Sequence, residues 1–418
     1  MPTETIDVLI IGAGPAGTAA AAVFNEKGLN VTVLEKTIFP RFVIGESLLP
    51  RCMDLLEETK LLEPIKSMGF QEKFGAKFVQ NGAVCEFNFS EQYTEGYTWT
   101  WQVTRADFDK KLADVVESRG VDISYESEVV SVEFYSDNVV TTFLHKGETR
   151  IISSKYIVDA SGYGRVLPRL LKLDKPSNLP PRKALISHLT DAKRPELEGN
   201  VIKVEVVKND IWIWVIPFSN GNTSVGVVGN LDVMDDTLSV GDQIKSVIFE
   251  QPDLKERFSE AEFIFEPVEM KGYSSSVERF YGDRFVLVGN STEFLDPIFS
   301  SGLTFALESG VKAAKLVVDE LKGNEVDWEK DYVQYLDQGI QTFKSYVECW
   351  YDGTLQKIFF ADNIDPSIKN RICSVLAGYV WDTTNPFVKK HNTALKTLAK
   401  VINIQGEDEL PPILGTII

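Results

Sequence analysis

At 418 residues and 44 % apolar side chains, the chain is long enough for two or three domains, or one large composite domain, around a sizeable core. Its formal net charge of −18 excludes the basic footprint of a phosphate-tracking domain, so nucleic acid is not an expected partner. The four cysteines (Cys52, Cys85, Cys349, Cys373) lack a Cys-x-x-Cys and the three histidines lack metal-ligand spacing, so neither a metal site nor a disulfide framework is expected.

The thiols read as free and buried in a reducing compartment. The acidity serves solubility and disfavours an anionic membrane surface. No leader pattern opens the chain, and no stretch reaches the ~18 apolar residues of a membrane span. The expectation is a cytoplasmic protein without a stable membrane anchor.

In chain order, residues 6–11 form an apolar run that ends in glycine. Gly12-Ala-Gly14-Pro15-Ala16-Gly17 follows, then small residues over 18–23, a helix stop at Gly28 and a β-branched run over 31–34 that ends at Glu35. This is strand, tight turn, helix, strand, and the crossover makes the strands parallel. Residues 105–118 read as a helix stopped at Gly120. Residues 129–134, 139–144 and 156–159 read as strands. From 183 to 230 the pattern changes: 201–207, 211–217 and 223–229 read as neighbouring antiparallel strands of a second, inserted sheet.

A buried strand at 284–289 returns to the first sheet. A helix follows at about 302–321, with Leu303, Leu307, Gly310, Ala314, Val317 and Leu321 on one face. Beyond Gly323 the chain is aromatic-rich and reads as helical to about Lys400, with 406–418 an extended tail. There is no internal repeat and no low-complexity tract.

The first motif with chemistry is Gly12-x-Gly14-x-x-Gly17 with Glu35. Gly12 allows the tight turn, Gly14 lets backbone approach a pyrophosphate, and Gly17 allows close helix–strand packing. The helix N-terminus turns its partial positive charge to the phosphates, and Glu35 stands where a carboxylate bonds a ribose hydroxyl. This motif alone serves FAD and NAD equally. Three later segments separate them: Asp159-Ala160-Ser161-Gly162, the run Gly282-Asp283 to Gly289 continuing through Asn290 to Asp296-Pro297, and Val103-Thr-Arg105-x-x-Phe108-Asp109. Together they resemble the flavoprotein monooxygenase family typified by para-hydroxybenzoate hydroxylase. The resemblance implies FAD, with the Asp296 segment at the ribityl chain and the following helix aimed at the isoalloxazine. A reduced flavin is negative near N1, and a helix N-terminus stabilises that charge.

Phe39-Pro40-Arg41-x-x-x-Gly45-Glu46-Ser47-Leu48-Leu49-Pro50 resembles a segment shared by flavin-dependent halogenases and geranylgeranyl reductases. Trp212-Ile-Trp214-Val-Ile216-Pro217 and Phe294-x-Asp296-Pro297-x-x-Ser300-x-Gly302 are similar to the two further motifs of the halogenases. Lys73 falls where that family has its catalytic lysine, although Lys77, four residues on, is also available. The resemblance spans 6–322 and continues more loosely to about 390.

The resemblance implies a mechanism in which reduced FAD and dioxygen give a C4a-hydroperoxide, and halide attacks it to form hypohalous acid. Lys73 then activates that acid toward an electron-rich aromatic or carrier-bound small molecule. Trp212 and Trp214 keep flavin and substrate apart. On an alternating strand these two and Ile216 share a face, which suits a tunnel wall or plain core packing. The N–H groups of Ser300, Ser301 and Gly302 suit a halide or a flavin carbonyl. The FAD contacts implied are Gly12, Gly14, Pro15, Ala16, Gly17, Glu35 and Lys36 for the ADP half. Arg41, Gly45, Glu46, Ser47, Arg105, Asp159, Ala160, Gly162, Gly289, Asp296, Pro297, Ser301, Gly302 and Leu303 serve the rest.

The tryptophan halogenases place a glutamate where this chain has Phe299, which speaks against a tryptophan substrate. No second Gly-x-Gly-x-x-Gly is present, so electrons are expected from a separate flavin reductase. Three other readings share these residues: a reductase of lipid double bonds, an aromatic hydroxylase, and a flavin-binding redox module without catalysis. The expected fold is α/β. A glutathione-reductase-type FAD domain (1–69, 102–180, 276–322) carries an inserted mixed-sheet substrate domain (70–101, 181–275), and a helical segment (323–418) follows.

Overall fold

The computed structural model describes residues 5–208, 210–231 and 237–407. The first sheet is built around Thr5–Ile11, and its order is Tyr281–Gly282, Phe285–Leu287, Glu148–Asp159, Thr5–Ile11, Val31–Leu34, Asp122–Ser124. All of these neighbours pair in parallel except the edge strand Tyr281–Gly282. Ser127–Phe134 and Val139–His145 extend it as an antiparallel branch from Glu148–Asp159.

The central strand is apolar on both faces because both are covered. Val8 and Ile10 enter the main core, with the helices Pro15–Glu26 and Ser301–Leu321. Leu9 and Ile11 pack instead with Val129, Val139 and Phe143 of the antiparallel branch. The period of two along one strand thus sorts its side chains between two cores. The two helices approach closely at Gly310, where a Cβ would lie 2.4 Å from the Ala16 carbonyl oxygen. Their contact brings both helix starts to the carboxyl ends of the strands, where open α/β sheets bind ligands.

The second sheet has seven strands in the order Val268–Lys271, Arg182–Thr190, Asn222–Asn230, Ile211–Pro217, Val201–Lys208, Gly75–Gln80, Ala83–Asn88. It is mixed: Val201–Lys208 and Gly75–Gln80 pair in parallel, and the others antiparallel. Ile211, Ile213 and Val215 turn to one face, under the helices Val240–Phe249 and Pro252–Phe258. Trp212, Trp214 and Ile216 turn to the other, which joins the core of the first sheet. A separate two-stranded sheet, Gln71–Lys73 with Thr100–Gln102, brackets the Gly75–Gln80 and Ala83–Asn88 hairpin in sequence.

The C-terminal part is helical: Tyr335–Tyr351, Thr354–Phe359, Pro366–Leu376, Pro386–Lys389 and His391–Glu407. Trp350 packs tilted against Phe78, and Phe359 packs edge-on against Phe78 and Phe87, which fastens this part to the second sheet. The last helix takes in Gly406, where an extended tail was expected. Its buried face of Leu395, Leu398 and Ala399 carries the helix past Lys400. Residues 408–418 of that expected tail lie outside the described residues. Among the described residues, no helix is long and apolar enough to cross a membrane, and no group of three or more His, Cys, Asp or Glu is placed to hold a metal. The four cysteines are free and buried.

Candidate active site

A cavity of about 410 Å³ opens at the carboxyl ends of the parallel strands. Its floor is the glycine turn. Gly12 has φ +98°, and a Cβ there would lie 2.7 Å from the Ala160 carbonyl oxygen. At Gly17 a Cβ would lie 2.0 Å from the Gly12 carbonyl oxygen, so only glycine lets helix and strand meet. Gly14 differs: its nearest obstacle, the Arg41 guanidinium, is 3.7 Å from a built Cβ, and the residue lines the cavity. The three glycines therefore divide the tasks as their spacing predicts, two for packing and one left open. Pro15 and Ala16 line the cavity beside Gly12, and Gly17 lies behind it.

Glu35 is buried at the end of its strand. Its carboxylate accepts from Ala13 N at 2.9 Å and from Thr37 N and Oγ1 at 3.0 and 2.7 Å. Each oxygen has two lone pairs, so the group can still accept from a ribose hydroxyl. Lys36 and Arg41 continue this wall.

Gly45, Glu46 and Ser47 form the next part as an extended strap. Arg105 fixes it. Its guanidinium grips Asp109 with both forks at 2.8 and 2.9 Å and donates to the Ile44 carbonyl at 2.8 Å. Glu46 is buried and meets His188 Nε2 at 2.5 Å, which ties the strap to the second sheet.

Ala160 and Gly162 line the opposite side. Asp159 does not. Its carboxylate accepts from Ser161 N, Leu167 N and Ser291 Oγ at 2.8, 2.6 and 3.0 Å, and so folds the loop that carries them. Gly289, Pro297, Gly302 and Leu303 complete the wall at the start of the Ser301–Leu321 helix, with Ser300 in the left-handed region at φ +56°. Ser301 is buried behind them.

Trp212 and Trp214 close the cavity from the second sheet, their rings 5.9 Å apart. Gly226 on the next strand makes room for one of them, since a Cβ there would lie 2.1 Å from the Trp214 ring. Trp214 Nε1 donates to Ser224 Oγ at 3.1 Å, and Trp212 Nε1 to the Tyr351 hydroxyl at 3.0 Å. That hydroxyl donates in turn to Asp296 at 3.0 Å, and the Arg182 guanidinium lies over the Tyr351 ring. Asp296 thus stands behind the cavity wall, not in it, and also accepts from Ile298 N at 3.0 Å. Burial pushes its carboxyl up to about 6. It braces Trp212 through Tyr351.

The structure separates the two candidate lysines. Lys77 pairs with Glu198 at 2.9 Å near the surface. Lys73 is 1 % exposed, and its Nζ donates to the Leu48 carbonyl at 2.9 Å and lies 5.4 Å over the Phe89 ring. Burial pushes its ammonium down to about 7. Lys73 is not on the cavity wall. It is joined to it by the strap: Ser47 lines the cavity, and the carbonyl of the next residue holds the lysine. Four residues at the site escaped the sequence reading of roles. Asn290 and Tyr163 line the cavity, and the motifs around them contained the signal. His188 and Tyr351 brace its walls from behind, through Glu46 and Trp212, and nothing in their local sequence marks them.

Fold and site together define an FAD-dependent oxidoreductase. The model of the FAD binding domain family matches residues 5–329. A curated relative, 1H-pyrrole-2-carbonyl-[peptidyl-carrier protein] brominase of Pseudoalteromonas luteoviolacea (strain 2ta16), is 30 % identical over 396 residues, covering 91 % of this chain and 93 % of its own. A solved flavoprotein/dehydrogenase from Cytophaga hutchinsonii is 56 % identical, with TM-score 0.95 over 97 % of this chain and 100 % of that one. The solved flavin-dependent brominase Bmp2 is 26 % identical, with TM-score 0.81 over 97 % and 100 %. The chain belongs to the flavin-dependent halogenase family. That settles the choice of family that the 39–50 segment, shared with the reductases, left open.

Proposed function

We propose that this protein halogenates an electron-rich aromatic acyl group presented on a carrier protein, with halide as co-substrate and a separate flavin reductase as electron source. The observation that carries the reading is Lys73: a buried amine with a neutral-range pKa, one strap residue from the cavity. The glycine turn fits FAD, with two positions closed by packing and Gly14 open. Gly12, Gly14, Pro15, Ala16, Glu35 and Lys36 then hold its ADP half. Arg41, Gly45, Glu46, Ser47, Arg105, Ala160, Gly162, Gly289, Pro297, Gly302 and Leu303 hold the remainder. Gly17, Asp159, Asp296 and Ser301 shape the walls from behind.

Reduced FAD, when bound, supplies the electrons by which dioxygen oxidises halide. The residues of the chain do the rest. Trp212 and Trp214 fill the side facing the second sheet and keep the aromatic substrate away from the flavin. As an ammonium, Lys73 donates a hydrogen bond to hypohalous acid; as a free amine, it accepts the halogen. At a pKa of about 7 both forms are present. The halogen replaces a ring hydrogen, which leaves as a proton. Phe299 packs edge-on against Tyr346 and Trp350, so no carboxylate stands there for a free amino-acid substrate. The carrier-bound substrate follows from the relative's substrate, and the free buried thiols fit a reducing, cytoplasmic setting.

The test supplies FAD, a flavin reductase with NADH, bromide, and pyrrole-2-carbonyl thioester on a carrier protein, and reads the acyl mass. A bromine isotope pair is expected with wild type and absent with Lys73→Met. Oxidation of the flavin with no brominated carrier-bound or free aryl substrate overturns the reading.

A further inference from the structure

The chain carries 61 acidic and 43 basic residues, yet one face inverts that balance. The helices Pro366–Leu376, Pro386–Lys389 and His391–Glu407 pack together and bear Lys369, Arg371, Lys389, Lys390, Lys396 and Lys400. Lys389, Lys390, Lys396 and Lys400 are exposed. None of the six stands within ion-pair distance of an acid among the described residues, and the three helices hold no acid before Glu407; Lys60, Lys110 and Lys193 on other faces are paired. The two nearest acids in sequence are already engaged: Asp365 caps its helix through Ser367 N at 2.8 Å, and Asp382 bonds Thr94 and Thr384.

This face is also coupled to the buried lysine. Lys369 lies 5.6 Å over the Phe87 ring, and Cys373 Sγ donates to the Asn88 carbonyl at 3.3 Å. The next residue, Phe89, carries the ring beneath Lys73. The helix Pro366–Leu376 is therefore separated from the Lys73 amine by one aromatic layer.

We propose that these three helices are the docking surface for an acidic carrier protein. Its phosphopantetheine arm would carry the acyl thioester inward past the 87–89 segment to Lys73. The proposal rests on the carrier-bound reading above. The chemistry matches on two counts. Unpaired lysines attract an acidic helix at long range, in a chain whose overall charge repels it. Lys369 and Arg371, partly sheltered against aromatic rings, suit the phosphodiester that begins the arm.

The experiment uses the full chain and a fluorescently labelled acidic holo-carrier protein loaded with pyrrole-2-carbonyl thioester. Anisotropy gives its affinity, and bromination gives KM and kcat. The triple variant K389E/K390E/K396E is compared with the control K60E/K110E/K193E, which changes net charge equally; FAD absorbance checks that both are folded. The face variant is expected to weaken carrier binding and raise KM by about tenfold with kcat unchanged, and wild-type affinity is expected to fall with added salt. The control should match wild type.

If the face variant binds and turns over the carrier like wild type, the docking surface is overturned while the carrier-bound reading stands. If wild type brominates free aryl substrates but neither binds nor brominates the carrier, both the surface and the carrier-bound reading are overturned, and halogenation remains.

Discussion

The dinucleotide cradle and the packed chamber of side chains around Lys73 are joined by one strap and are made in different ways. The cradle is backbone. Its parts, the glycine turn and Glu35, fall within 24 consecutive residues, and its fit depends on where a Cβ is missing. The chamber is side chains. Lys73, Leu48 and Phe89 meet there from three segments, and Tyr351, from a fourth far along the chain, braces the tryptophan wall nearby. A backbone site tolerates no added carbon but is indifferent to most side chains around it. A side-chain site tolerates reshaping but depends on a few polar atoms. The two should therefore fail independently.

The largest expected effect is in the chamber. Lys73→Met should lower halogenation by about 10³-fold, the range for a positioned proton-transfer or nucleophilic group. FAD affinity, read by fluorescence quenching, should be unchanged. Loss of flavin together with activity would merge the two regions and break the comparison. The converse variant is Gly17→Val. Its side chain would meet the Gly12 carbonyl, 2.0 Å from the first added carbon. The protein should purify without flavin, its FAD affinity down by about 10²-fold or more. Reversed outcomes, an active Lys73→Met or a yellow Gly17→Val protein, would each remove one side of the contrast.

The same difference explains what the sequence could tell. Gly12, Gly14, Gly17 and Glu35 are local in sequence, and their spacing encodes their geometry, so the cradle was legible. So were the strands that present Trp212 and Trp214, because alternation along 211–217 puts both on one face. Lys73 and Lys77 were not separable. They sit on two different strands of two different sheets, with a break at Phe74 between them, so a single period cannot say which turns inward. Asp296 was expected at the flavin on the strength of its motif. Its carboxylate turns behind the wall because Ile298 N and the Tyr351 hydroxyl hold it there. Tyr351 comes from a helix 55 residues further on, and only the fold makes it a neighbour.

A smaller effect is expected at that bridge. Tyr351→Phe keeps the ring under Arg182 but leaves the Trp212 indole N–H without its partner and the buried Asp296 oxygen with only the longer bond from the Tyr273 hydroxyl at 3.4 Å. Losing buried hydrogen bonds of this kind costs on the order of 1–3 kcal/mol. The consequence should be looser control of Trp212 rather than loss of flavin. Halogenated product per NADH consumed should fall several-fold, with hydrogen peroxide rising to match. Unchanged coupling would show that Trp212 needs no brace and that the chamber is more tolerant than the contrast requires.

The last test sharpens the contrast between the two lysines through stability. Burial holds the folded pKa of Lys73 at about 7, against an ordinary 10.5. Between those values the unfolded chain carries the proton and the folded chain does not, so folding gains stability as pH rises through this window. Below about 7 the full cost of the buried charge is present. Lys73→Met removes that cost, so its unfolding free energy from urea titration should exceed wild type at pH 6.5, by on the order of 3–5 kcal/mol. The gain should shrink steadily toward pH 10. Lys77 sits in an ion pair with Glu198 near the surface. Lys77→Met should instead cost about 0.5–1 kcal/mol. Urea titrations of both variants across this pH window distinguish them. A gain at Lys73 that is flat with pH would mean that the folded chain carries the proton just as the unfolded chain does, and that the amine does not titrate in the range where it is proposed to act.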